Sequence, residues 1–265
     1  MAQRRLGFWR RFAVTLVLPA LRMWTRRTWR GQENLPPTGG IIIAANHLSH
    51  FDPLVLSHFV YKAGRWPQFL AKSSLFEIPV FGWLLRKVRQ IPVYRGTADA
   101  ARALDSAVVA LRRGEGIIIY PEGTTTGEPD LWPMKGKTGV ARLALSTGAP
   151  IVPVVMWGPQ RLFDPRTRKL SLRPRIPVQA LAGPPLDLSP WAGANPSPQA
   201  LYEITDVVMT RLRELLGELR GEQPAPLWSP SKRARGAAAR DGAAAVHDGV
   251  GVADAPSAGE PEGPA

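Results

Sequence analysis

Short apolar runs bounded by Gly and Pro recur along this chain, and between them apolar positions return at helical spacing. Ile41-Ile42-Ile43-Ala44-Ala45 follows Pro36-Pro37 and Gly39-Gly40, so it reads as a buried, β-branched strand between turn residues. Gln68–Ala71, Ile91–Tyr94, Gly116–Tyr120 and Ile151–Trp157 read the same way. Helical periodicity covers Ala98–Arg113 and Lys137–Thr147, with a weaker helix over Leu75–Arg89. Strands alternating with helices of this length predict an α/β fold: a single domain with a largely parallel mixed sheet flanked by helices. Leu201, Ile204, Val208, Leu212, Leu215 and Leu219 are spaced three or four residues apart, which predicts a terminal amphipathic helix over Pro198–Arg220. There is no internal repeat.

The ends differ from the middle. The first 30 residues hold eight Arg and no acid around an uncharged stretch of ten residues, Phe12 to Leu21. A helix needs about 20 residues to span roughly 30 Å of hydrocarbon, so this stretch is too short to cross a membrane. It also lacks the small-residue cleavage site of a signal peptide. Arg flanking Phe8, Trp9, Trp24 and Trp29 suits a helix lying in the interface, rings at head-group depth and guanidinium groups on phosphate. The alternative is an amphipathic helix packed on the domain. Beyond Gly221 the chain is rich in Ala, Gly and Pro, and disorder is expected. The organisation is thus a basic membrane-associating segment over 1–35, a catalytic domain over 36–220 and a tail over 221–265.

Charge sharpens the choice of partner. The net charge is +13, yet the tail beyond Gly221 holds four bases against six acids, so residues 1–220 are two charges more positive than the whole. Such a body implies an anionic partner: nucleic acid, anionic head groups or phosphorylated substrates. No recognisable nucleic-acid module interleaves bases with aromatics, which argues against nucleic acid. The chain has no Cys, which excludes disulfides, Cys-ligated zinc and thiol redox chemistry and fits a cytoplasmic setting.

Two segments carry candidate chemistry. In Asn46-His47-Leu48-Ser49-His50-Phe51-Asp52-Pro53, His47 sits two residues past a predicted strand, in the crevice where α/β sheets gather reactive groups. A turn there would let Asp52 accept from one imidazole nitrogen and leave the other for substrate, making a general base that activates a hydroxyl. Zinc on His47, His50 and Asp52 is the competing reading, but the spacing matches no metal signature and Cys is absent. His50 and His58 read as polar surface or core-edge residues. The second segment is Tyr120-Pro121-Glu122-Gly123-Thr124-Thr125-Thr126, a tight turn after a predicted strand, where Glu122 could accept from a substrate hydroxyl. Taken alone it is an ordinary surface turn. Arg95 ends the strand Ile91–Tyr94, and its fork suits a phosphate. Lys72, Lys135 and Lys137 add charge at the same predicted mouth or are solvated surface bases.

In order, Asn-His-x4-Asp-Pro at 46–53, Lys72 through Phe76-x-x-Pro79-x-x-Gly82-Trp83, Ile91-Pro-Val-Tyr-Arg95, Tyr120-Pro-Glu-Gly-Thr124 and Ala149-Pro-Ile-Val-Pro153-Val154 resemble the glycerolipid acyltransferase family. Within that family they are most similar to 1-acyl-sn-glycerol-3-phosphate acyltransferases, and the segment Asp130-Leu-Trp-Pro-Met-Lys-Gly-Lys-Thr-Gly139 resembles a bacterial, actinobacterial-like branch. The resemblance implies transfer of an acyl group from acyl-CoA or acyl carrier protein to a lysophospholipid hydroxyl, giving phosphatidic acid at the cytoplasmic face of the cell membrane. It implies no cofactor and no metal. His47 would be the base and Asp52 its partner. Arg95 would bind the phosphate, helped by Lys72, Lys135 and Lys137, while Glu122, Gly123 and Thr124 would hold the glycerol. Where the family commonly has Phe and Arg in its acceptor motif, this chain has Tyr120 and Thr125. That leaves open another lysophospholipid or a glycolipid as acceptor, and, from a different class, a non-catalytic anionic-lipid-binding protein.

Overall fold

The computed structural model describes residues 7–93, 99–191 and 197–228, and of residues 99–103 the backbone alone. Among these, helix α1 (Phe8–Trp24) leads directly into strand β1 (Thr25–Arg30). There follow β2 (Ile41–Ala45), α2 (Asp52–Lys62), β3 (Pro67–Lys72), α3 (Phe81–Lys87), β4 (Ile91–Val93) and α4 (Asp99–Arg112). The second half holds β5 (Gly116–Ile119), α5 (Gly139–Thr147), β6 (Ile151–Trp157), the short α6 (Pro159–Leu162), β7 (Ile176–Ala182) and α7 (Pro198–Arg220).

Among the described residues seven strands form one sheet in the order β1-β7-β6-β2-β5-β3-β4. All neighbours are parallel except β6 and β7, so β1 and β7 run against the other five. The α/β class with a largely parallel sheet is as expected. Every residue of β2 is buried because helices cover both faces. Ile42 and Ala44 join Ile117, Ile151 and Val155 beneath Leu201, Ile204, Val208 and Leu212 of α7. Ile41, Ile43 and Ala45 point the other way, onto Val55, Leu56 and Phe59 of α2. This is the two-residue alternation of a strand, and each fully buried Ile contributes about 1.5–3 kcal/mol.

Three expectations change. The basic segment expected over 1–35 contains β1, which pairs with β7 from Thr25↔Ile176 to Arg30↔Leu181. Thr25 is buried while Arg26, Thr28 and Arg30 face outward, so the strand's alternation is carried by Arg and Thr and is hidden from an apolar search. The helix over Leu75–Arg89 is split into a 3-10 turn at Ser73–Phe76 and α3, because Pro79 interrupts it and Val80 adopts a left-handed φ of 62°. Finally, the chain does not leave the domain at Gly221. That glycine ends α7 in the left-handed conformation, and residues 222–228 continue across the surface until Trp228 bridges to Met134. Residues 229–265 of the expected tail lie outside the described residues.

Candidate active site

The site is built on the carboxyl end of β2. Asn46, fully buried, donates from Nδ2 to the Met156 carbonyl at 3.1 Å and accepts from the Met156 N–H at 2.8 Å. This two-way bond pins the strand end to β6. The next residue, His47, leaves the sheet here and keeps 13% of its side chain exposed. Its Nδ1 lies 2.9 Å from Oδ2 of Asp52, a carboxylate with no exposure at all.

Asp52 occupies the first turn of α2, where the helix dipole favours a negative charge. The same Oδ2 also accepts from the backbone N–H groups of Leu48 and Ser49, while Oδ1 is buried without a partner among the described residues. With Oδ2 placed as acceptor for these backbone donors, Nδ1 of His47 is the donor of the pair. The Nε2 lone pair is thereby left for a substrate hydroxyl.

The second segment meets this loop from β5. Glu122 is buried, with one carboxylate oxygen accepting from the His47 N–H at 3.1 Å and the other from the Met134 N–H at 3.0 Å. The expectation that its carboxylate faces substrate is corrected by this geometry: it is turned inward and joins the two loops. Burial pushes its pKa up to about 8, against the opposing pull of those backbone donors. Thr126 N–H donates to the His47 carbonyl at 2.7 Å, a third tie. Tyr120 stacks on the His47 ring at 4.1 Å and 13°, and desolvation raises its phenol well above the ordinary value.

The turn itself is tight. Gly123 has φ +74°, and a Cβ there would come within 2.8 Å of the Lys137 ammonium nitrogen. Lys137 therefore lies against the turn, beside exposed Thr124. Lys135 does not: its ammonium sits 6.0 Å from the Tyr202 ring on α7. Lys72 closes β3, half-buried. Arg95 lies outside the described residues.

Sequence reasoning missed Asn46 as the lock behind His47, although it stands in the same block, and Tyr120 as the stacking partner of that imidazole. It also missed the β6–β7 connection. There Ser49 Oγ donates to the Phe163 carbonyl at 2.7 Å, and the His50 ring lies 5.6 Å from the Phe163 ring. Among the described residues no group of three or more His, Cys, Asp or Glu could hold a metal ion.

A buried carboxylate, a His with one free nitrogen and a rigid polar turn suit activation of a hydroxyl for acyl transfer. The acyltransferase family model matches residues 26–157, from β1 to the end of β6. The chain is 34% identical over 134 residues to the 1-acyl-sn-glycerol-3-phosphate acyltransferase of Borreliella burgdorferi, covering 50% of this chain but only 52% of that protein. To the enzyme of the same name from Bacillus subtilis it is 29% identical over 194 residues, 71% of this chain and 87% of the relative. The crystal structure of the 1-acyl-sn-glycerophosphate (LPA) acyltransferase PlsC from Thermotoga maritima superposes with a TM-score of 0.54 at 27% identity, covering 78% of this chain and 75% of that one. With that match over residues 26–157 and that likeness in fold, the chain belongs to the acyltransferase family.

Proposed function

We propose that this protein transfers a fatty acyl group from acyl-CoA or acyl carrier protein to the sn-2 hydroxyl of 1-acyl-glycerol-3-phosphate, forming phosphatidic acid for phospholipid synthesis. The observation that carries the proposal is the His47–Asp52 pair at 2.9 Å with Nδ1 committed to the carboxylate. In the proposed step, His47 Nε2 takes the proton as the acceptor oxygen attacks the thioester carbonyl. The tetrahedral intermediate then collapses, the C–S bond breaks, and the imidazolium returns the proton to the leaving thiolate. Asp52 stabilises the transient imidazolium. No protein nucleophile, metal or cofactor is needed besides the acyl donor.

The acceptor phosphate would be held by Arg95, with Lys72 and Lys137 adding charge and the Gly123–Thr124 turn contacting glycerol. Glu122 would act by fixing the His47 and Met134 backbones. The site is assigned to the cytoplasmic face of the cell membrane, with α1 lying in the interface. No helix among the described residues is long and apolar enough to cross a membrane. Phe8, Phe12, Leu16 and Met23 of α1 are exposed, and Trp9 packs edge-on against Trp83 of α3 at 4.5 Å, next to exposed Ile78, Val80 and Phe81. Rings and aliphatic groups of this kind enter the head-group region.

A second reading keeps the chemistry and changes the acceptor to another lysophospholipid or a glycolipid. It is favoured by Thr125, half-buried where the family commonly has Arg. Purified protein incubated with acyl-CoA or acyl carrier protein donor and a panel of lysolipids separates the two. Preferred turnover of lysophosphatidic acid supports the first reading, preference for another acceptor the second, and transfer to none defeats both.

A further inference from the structure

We infer that the β6–β7 connection, residues 163–175, is a second membrane-contact element, which inserts Leu170 and Leu172 into an anionic bilayer beside the catalytic loop. The inference rests on the membrane reading of the proposed function and extends it to a segment that lies apart from α1 in sequence.

The segment is strongly basic and carries exposed leucines. Residues 163–175 hold five bases, Arg166, Arg168, Lys169, Arg173 and Arg175, and one acid, Asp164. That acid is already engaged: its Oδ1 accepts from the N–H groups of Arg166 and Thr167, which hold its carboxyl below the usual range. Leu170 is 47% and Leu172 80% exposed, flanked by the exposed bases Arg168, Lys169 and Arg173. Exposed leucines alternating with bases match a surface that offers both phosphates and hydrocarbon. An acidic protein surface would use the bases and leave the leucines in water.

The segment is also built, which a mere surface loop need not be. Phe163 pairs with Leu170 in an antiparallel bridge, Asp164 N–H donates to the Lys169 carbonyl at 3.1 Å, and Ser171 N–H donates to the Leu162 carbonyl at 2.8 Å. Two anchors place it. At its root the Phe163 carbonyl accepts from Ser49 Oγ of the catalytic loop. Further on, the Ser171 carbonyl accepts from Trp24 Nε1 at the end of α1, 2.9 Å away. The leucines are thereby held on the sheet edge that carries His47, continuous with the end of the interfacial helix. A lysolipid leaving the bilayer there would reach the base without crossing open water.

The test uses the full chain and vesicles of phosphatidylcholine with or without phosphatidylglycerol. Leu172→Asp is expected to lower partitioning onto the anionic vesicles about tenfold or more, since the leucine's apolar area is lost and a like charge is added. Lys169→Gln with Arg173→Gln is expected to lower it about fivefold per charge on anionic vesicles and to leave neutral vesicles unaffected. With acyl-CoA as donor, both variants should match the parent on a short-chain acceptor dispersed as monomers and fall behind it on a vesicle-held acceptor. Parent-like vesicle binding by Leu172→Asp overturns the inference. So does a defect confined to acyl carrier protein as donor, which would make the segment a protein-docking surface. Absence of transfer by the parent to any acceptor would defeat the proposed function instead, while the vesicle-binding arm still reads this one.

Discussion

The backbone N–H of His47 donates to Glu122 at 3.1 Å, so the residue that carries the imidazole is held by a carboxylate 75 positions away. The other oxygen of Glu122 holds Met134 at 3.0 Å. Glutamine can satisfy only one of these N–H groups and presents a donor to the other. Leaving a buried donor unpaired costs about 1–3 kcal/mol. Glu122→Gln is therefore expected to lower the urea-unfolding free energy by that amount, and Glu122→Ala by more.

The same residue sets a pH dependence. Its carboxyl, ordinarily titrating at 4.5, is raised to about 8 by burial in the folded protein. Between those values the unfolded chain binds fewer protons than the folded one, so Glu122 makes stability fall as pH rises through this window. Unfolding midpoints measured from pH 5 to 8 should show a shallower decline in Glu122→Gln than in the parent. An unchanged slope would mean that the carboxyl stays ionised in the fold.

His58 acts in the opposite sense. It is buried on α2, where desolvation first, and then Arg27, Arg22 and Lys62, lower its pKa from 6.5 to about 4. As pH falls through that window the unfolded chain gains a proton that the folded chain does not, and stability is lost. His58→Gln should flatten the acid limb between pH 6.5 and 4 in the same unfolding measurement.

Tyr120 separates ring from hydroxyl. Its ring stacks on His47, while its buried hydroxyl has no hydrogen-bond partner among the described residues. Tyr120→Phe is expected to stay within about 1 kcal/mol of the parent and keep its turnover, because no bond is lost. Tyr120→Ala removes the wall behind the imidazole and should lower kcat; equal kcat in the two variants would show the stack to be idle.

How far the sequence showed all this depends on where the signal lies. The central strands were legible because helices on both faces make them continuously apolar, as Ile41–Ala45 shows. β1 was not, since outward Arg26 and Arg30 mask its alternation, and Pro177 near the start of β7 discourages a strand assignment. The His47–Asp52 contact was legible from a short spacing followed by Pro53. The inward turn of Glu122 was not, because it depends on Met134 and His47 arriving from other parts of the chain. Lys135 and Lys137 are two residues apart, yet one faces α7 and the other the Gly123 turn.

Asn46 is the structural support that activity should sense most. Asn46→Ala removes both bonds to the Met156 backbone and is expected to cost about 1–3 kcal/mol of stability and to lower kcat. Asn46→Asp keeps the acceptor for the Met156 N–H but sets an anion against the Met156 carbonyl, so it should do no better than alanine. Paired urea melts and turnover measurements check both.

The proposed role of His47 as general base of acyl transfer has a direct kinetic test. Formation of phosphatidic acid from lysophosphatidic acid and acyl-CoA should be timed for the parent and for His47→Ala, after circular dichroism shows both to be folded. A loss of about 10²–10⁴-fold in kcat is expected for the variant. Near-parental turnover by folded His47→Ala would contradict that role.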